Sequence, residues 1–124
     1  MLDHHLSALY KELGLDKEPE KAEDKSYIIE VSAKAQMHVW DLFPGCLFKA
    51  MLGPLPDEEV EEHLIYYSKA NLVGQGTGRC RIGLDADGKQ LVMVMHDPED
   101  ISYQDFKERT EEFANFVDYW KDQL

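Results

Sequence analysis

The 124-residue sequence is short of cysteine, of positive charge and of long apolar runs, and each shortage removes a class of function. Cys46 and Cys80 are the only cysteines. Neither sits in a CxxC pair and both are flanked by strand-like sequence, so they read as buried thiols of a reducing compartment rather than a disulfide or a metal site. Lys and Arg number 13 against 25 Asp and Glu, a formal net charge of -12. A field of that sign repels nucleic-acid phosphates and anionic lipid, so neither is expected as a direct partner. No apolar stretch approaches the roughly 18 residues needed to cross a bilayer. Met1-Leu2-Asp3-His4-His5 lacks the basic and apolar regions of a secretory leader. The expectation is a cytoplasmic protein with no membrane insertion.

Chemical motifs are equally scarce. Gly74-Gln75-Gly76-Thr77-Gly78 runs from a helix into a strand, whereas a phosphate-cradling loop runs from a strand into a helix, so the glycines read as a sharp turn. His4, His5, His38, His63 and His96 are scattered over four elements and form neither HExxH nor a CxxC partnership. The carboxylate runs at Glu58-Glu59, Glu61-Glu62, Asp97 with Glu99-Asp100, and Glu111-Glu112 read as solvated faces and caps, not as desolvated acids. Ser7, Ser26, Ser32, Ser68 and Ser102 have no nucleophile-elbow context. The reading is therefore of no enzyme: no catalytic residue, no cofactor and no metal site.

What is present is an ordered alternation of patterns over residues 1–124, read as a single domain with room for a thin core that buries about two thirds of its surface. Leu2, Leu6, Leu9 and Leu13 recur at helical spacing with Gly14 as the stop. Asp16 to Lys25 is charged and reads as a solvated loop. From Tyr27 the period becomes two: Tyr27, Ile29 and Val31, then Ala35, Met37 and Val39, then Cys46, Phe48, Ala50 and Leu52. The breaks fall at Ser32-Ala33-Lys34 and Pro44-Gly45. Pro54 and Pro56 stop the sheet, and Asp57-Glu58-Glu59 are placed in the first turn of a helix whose apolar stripe holds Val60, Leu64, Tyr67 and Leu72, widened by Ile65, Tyr66 and Ala70. A hairpin follows, with Cys80, Ile82 and Leu84 on one strand and an Asp87-Gly88 two-residue turn. Its second strand, Gln90 to His96, is apolar on both faces and is expected to be central or covered on each side. Ser102 and Asp105 resemble a capping box, with Ile101 and Phe106 as its staple, for a last helix carrying Phe106, Phe113, Val117 and Trp120. The fold class is α+β in the order α-β-β-β-α-β-β-α, a twisted antiparallel sheet covered by helices.

The run Asn71-Leu72-Val73 into the glycine bend, the hairpin after it and the ending Phe113-Ala114-Asn115-Phe116-Val117-Asp118-Tyr119-Trp120 together resemble the class I chaperones of bacterial type III secretion, the Tir chaperone family. The resemblance implies a homodimer through the middle helix and the strand after the bend, where Val60, Leu64, Tyr66, Tyr67, Ile82 and Leu84 stand. It implies a protein of the bacterial cytoplasm that holds the N-terminal segment of a secreted effector extended and unfolded. That effector is kept soluble and delivered to the export apparatus, with the secretion ATPase as a further partner. The expected effector-binding set is Leu6, Leu9, Tyr10 and Leu13 of the first helix with Ile29, Met37, Val39 and Phe48 of the sheet. Ordering five client residues costs about 5 to 10 kcal/mol. Three apolar anchors return roughly 4.5 to 9 kcal/mol, so several patches must act together. Two other readings are a regulatory adaptor that sequesters a regulator of secretion, on the same fold, and a small acidic hydrolase with an unrecognised site.

Overall fold

Helical spacing at the start of the chain and period-two alternation after Tyr27 produce the elements expected of them in a computed structural model, which describes residues 2–32, 35–72 and 79–123. Among these residues the order is α1 (Leu2–Glu12), β1 (Tyr27–Ser32), β2 (Ala35–Asp41), β3 (Cys46–Pro54), α2 (Val60–Ala70), β4 (Arg81–Leu84), β5 (Gln90–Asp97) and α3 (Tyr103–Asp122). The glycine-rich bend from Gly74 to Gly78, and Ala33-Lys34 of the expected β1–β2 break, lie outside the described residues.

Helix ends follow local chemistry. Gly14 (φ 74°) closes α1: the Leu15 N–H donates to Tyr10 O at 2.9 Å and the Gly14 N–H to Lys11 O at 3.1 Å, the paired bonds of a left-handed glycine stop. At α3 the Ser102 side chain accepts from the Asp105 N–H at 3.1 Å, the N-cap bond of the expected capping box. The start of α2 departs from the reading. Asp57, Glu58 and Glu59 precede the helix, and Glu59 (φ 55°) is its N-cap without a side-chain bond. Glu61 and Glu62 occupy the first turn instead, so the dipole still meets acids there.

All strand pairs are antiparallel and the sheet order is β1-β2-β3-β5-β4. The doubly apolar β5 is an interior strand, paired on both sides by β3 and β4, and Val92 on its second face is buried as well. The hairpin turn is longer than expected: Asp85 pairs with Gln90, and the Gly88 N–H donates to Asp85 O at 3.0 Å, leaving four residues in the loop. Gly88 alone takes positive φ (72°), because a turn closed at Asp85 requires the left-handed conformation only at its last residue.

Tyr27, Ile29, Met37, Val39, Cys46, Phe48, Ala50, Leu52, Leu91, Met93 and Met95 point to one face, where they pack with Leu2, Leu6 and Leu9 of α1 and Phe106, Phe113, Val117 and Trp120 of α3. Phe48 is the hub, with ring centroids 5.9 Å from Phe106 and 5.6 Å from Phe113. Between β2 and β3 the chain turns at Gly45 (φ 85°), where a Cβ would stand 2.0 Å from Asp97 O. No other residue type fits there.

Candidate interaction surfaces

The face that carries the core is the face the sequence offered to an effector. Leu6, Leu9, Tyr10, Ile29, Met37, Val39 and Phe48 are all buried within the subunit. Strand parity turns the sheet members toward the helices, and α1 and α3 occupy the space over them, so these seven hold the fold, with Tyr10 and Ile29 also bordering a groove beside β1. Leu13 differs. It lies past the end of α1 and is 60% exposed.

Leu13 belongs to a groove of about 500 Å³ formed by the end of α1, the loop after it and the outer side of β1; Tyr10, Leu15, Lys21, Ala22, Ile28 and Glu30 are among its lining residues. Leu15 and Ile28 are also exposed. Because β1 is an edge strand, its outward carbonyls and N–H groups face this groove. At its start the edge is covered: Lys21 bridges Tyr27 and the Ala22 N–H donates to Ser26 O at 2.7 Å. The Tyr10 hydroxyl donates to Ile28 O at 3.4 Å, and burial, with Glu30 and Glu20 nearby, raises the Tyr10 pKa so that the phenol keeps its proton. The chemistry on offer is strand addition beside three apolar side chains.

The middle helix is the second exposed surface. α2 buries Tyr67 and Ala70 and leaves Val60, Leu64, Ile65 and Tyr66 exposed, with Leu72 just beyond its end. Of the residues placed at a dimer interface, Val60, Leu64, Tyr66 and Leu84 are exposed, whereas Tyr67 and Ile82 are buried within the subunit, Tyr67 against Trp120 at 5.9 Å between centroids. Ile65 and Leu72 are the exposed members that the reading left out of the interface. Their signal was in the sequence, as the widened stripe. Asn71 is a residue that pattern reasoning missed altogether: its amide Nδ2 donates to Ile82 O at 2.8 Å and its Oδ1 accepts from the Ile82 N–H at 2.7 Å. That pair of bonds fixes α2 to the outer edge of β4 and closes this second sheet edge at Ile82.

One serine, histidine and aspartate do meet. The Ser26 hydroxyl donates to Asp24 Oδ1 at 2.6 Å and lies 2.9 Å from His38 Nδ1. Ser26 is fully buried, and its proton already goes to the carboxylate, so His38 Nδ1 is assigned as donor to Ser26 Oγ. A nucleophile would need the reverse, an accessible hydroxyl donating to a basic imidazole nitrogen. The Ser26 N–H also donates to Asp24 Oδ1, and the Trp40 indole donates to Asp24 O, each at 3.0 Å. Ser26's hydrogen bonds hold the Asp24 carboxyl below its ordinary pKa. The cluster builds the turn into β1. Cys46 and Cys80 are buried, and burial pushes both thiols up to about 12, which makes them poor nucleophiles and ligands. No group of metal-binding side chains is found, and no helix is long and apolar enough to cross a membrane, among the described residues.

An α+β chain with an open edge strand and an exposed middle helix has known counterparts. No family model matches the sequence. A Chlamydia pneumoniae protein designated by locus name alone is 27% identical over 126 residues, spanning 100% of this chain and 96% of that protein. Among solved structures, the type III secretion chaperone SycH of Yersinia pestis, in complex with a fragment of YscM2, superposes with a TM-score of 0.70 at 18% identity, covering 97% of each chain. The heterodimeric ExoU–SpcU complex from the type III secretion system of Pseudomonas aeruginosa gives 0.73 at 16% identity, covering 100% of this chain and 98% of that one. The chain therefore has the fold of type III secretion chaperones.

Proposed function

We propose that this chain is a bacterial type III secretion chaperone that binds the N-terminal segment of an effector in extended form, keeps it soluble in the cytoplasm and passes it to the export apparatus and its ATPase. The observation that carries this reading is the groove beside edge strand β1, covered among the described residues only at the start of the strand and flanked by exposed Leu13, Leu15 and Ile28. An edge strand supplies main-chain hydrogen bonds that are blind to client sequence, and the leucines supply anchors. The effector site expected over the core face moves to this groove, with Leu13 the exposed member of the original set and Tyr10 and Ile29 bordering it.

One such groove offers about as much free energy as ordering a client strand consumes. Two copies joined through α2 would double the engagement, and Val60, Leu64, Ile65, Tyr66, Leu72 and Leu84 supply apolar surface for that contact. The fold alone does not fix copy number, since the ExoU–SpcU complex is heterodimeric. The argument for a homodimer is this chain's own middle helix.

The test is co-expression with N-terminal fragments of the secreted proteins of the host. A client fragment is expected to co-purify and to become protease-resistant over the bound segment, and Leu13→Asp is expected to weaken capture about tenfold, the loss of one anchor. A chain that stays free beside every secreted substrate would defeat the reading.

A further inference from the structure

The turn between β2 and β3 carries an apolar tip that the surfaces above do not use. Leu42, Phe43 and Pro44 are exposed one after another, Phe43 at 77% and Leu42 at 43%. Phe43 lies outside the core cluster, and none of residues 41–45 lines the groove beside β1 or belongs to α2. The tip is nonetheless held in place. The Leu42 N–H donates to Gly45 O at 3.0 Å, the Phe43 N–H to Asp41 Oδ1 at 3.2 Å and the Gly45 N–H to Asp100 Oδ1 at 2.9 Å. Phe43 takes a left-handed φ of 46°, a conformation that an aromatic residue adopts at a cost and keeps only where its surroundings fix it. A ring that adds nothing to the core and is fixed in solvent is a preformed anchor, because binding it loses little conformational freedom.

The charges around the tip are mostly of one sign. Asp41, Asp97, Asp100 and Arg109 act on Cys46 at the base of the turn, and Arg109 already pairs with Asp97, Nε to Oδ1 at 3.0 Å. Glu99 adds a further exposed acid. We propose that residues 42–44 anchor a folded protein whose apolar pocket accepts the Phe43 ring and whose rim carries lysine or arginine. Charge selects this occupant: a second copy would bring the same acids and the same net charge of -12 to the tip, and anionic lipid would be repelled likewise. An extended client strand needs free main-chain groups, whereas the N–H groups of residues 42, 43 and 45 are already bonded. The ring supplies affinity as a buried aromatic anchor, and the acids steer the approach. The contact does not depend on the chaperone reading, and it leaves the groove beside β1 free for a client.

The test starts with the full chain carrying photoreactive benzoylphenylalanine in place of Phe43, irradiated in a cell extract of the source organism. The attached residue of the partner is expected to lie in an apolar pocket with basic side chains on its rim. The partner is then purified and titrated against variants. Phe43→Asn suits the left-handed backbone while removing the ring, and is expected to weaken binding about tenfold at an unchanged unfolding midpoint. Glu99→Lys touches none of the turn's hydrogen bonds, and is expected to weaken binding about threefold at low salt and not at high salt. An extract that yields no adduct, or one only with a second copy, a client fragment or lipid, overturns the proposal. So does an attachment site without a basic rim, or a partner that binds either variant as tightly as wild type at low salt.

Discussion

Asn71 does the most with one side chain. As the C-cap of α2 it ends the helix, and its amide satisfies both backbone groups of Ile82 on an edge strand that would otherwise present them to solvent. Asn71→Ala should cost about 1 to 3 kcal/mol in denaturant unfolding, the cost of leaving half-buried partners unpaired. Asn71→Asp should do no better, because a carboxylate oxygen would then face Ile82 O. The two thiols give a second prediction. Their pKa rises from 9.0 in the free state to about 12 in the folded protein, so at pH 8 native labelling by a thiol reagent should be roughly a thousandfold slower than labelling of the unfolded chain. Their protonated form is favoured by folding, so this contribution to stability is complete below pH 9 and is lost as pH rises toward 12. That the cysteines are buried could be read from strand alternation. Asn71 could not be found that way, since its partner lies eleven residues on in the sequence, and no period links the two.

Among the elements, those with strong local chemistry were legible. Ser102 and Asp105 marked the start of α3, and Ser102→Ala is expected to remove about 1 kcal/mol of stability, measured as a lower denaturant midpoint at unchanged slope. Gly14 marked the end of α1 for a comparably local reason. Where a boundary depended on how the chain entered an element, local chemistry was insufficient. The Asp57-Glu58-Glu59 run had the composition of a first helical turn but lies before α2, and Asp87-Gly88 had the composition of a two-residue turn but closes a four-residue loop. Asp87-Gly88 took the state that the pairing of β4 with β5 required, whereas at α2 a left-handed Glu59 sets the helix start at Val60.

For the subunit taken together, burial separates two roles that composition treats alike. Phe48 and Leu13 were both expected to touch an effector. Phe48→Ala should cost about 3 to 5 kcal/mol in denaturant unfolding, because it empties the hub between α3 and the sheet. Leu13→Asp should change stability by no more than about 0.5 kcal/mol. Its effect should appear in client capture alone, and equal losses of stability at the two positions would contradict this division. Leu64, Ile65 and Leu72 differ again, since they leave the core intact when changed and matter only if a second copy covers them.

Periodicity and caps were enough to establish the α+β order and the antiparallel strands, because those properties arise from neighbours within a few residues. Which apolar face is core and which is available was settled by packing: α1 and α3 chose one side of the sheet, and that choice is made by contacts between residues tens of positions apart. A strand pattern records that alternate residues are greasy, but it does not record what lies above them.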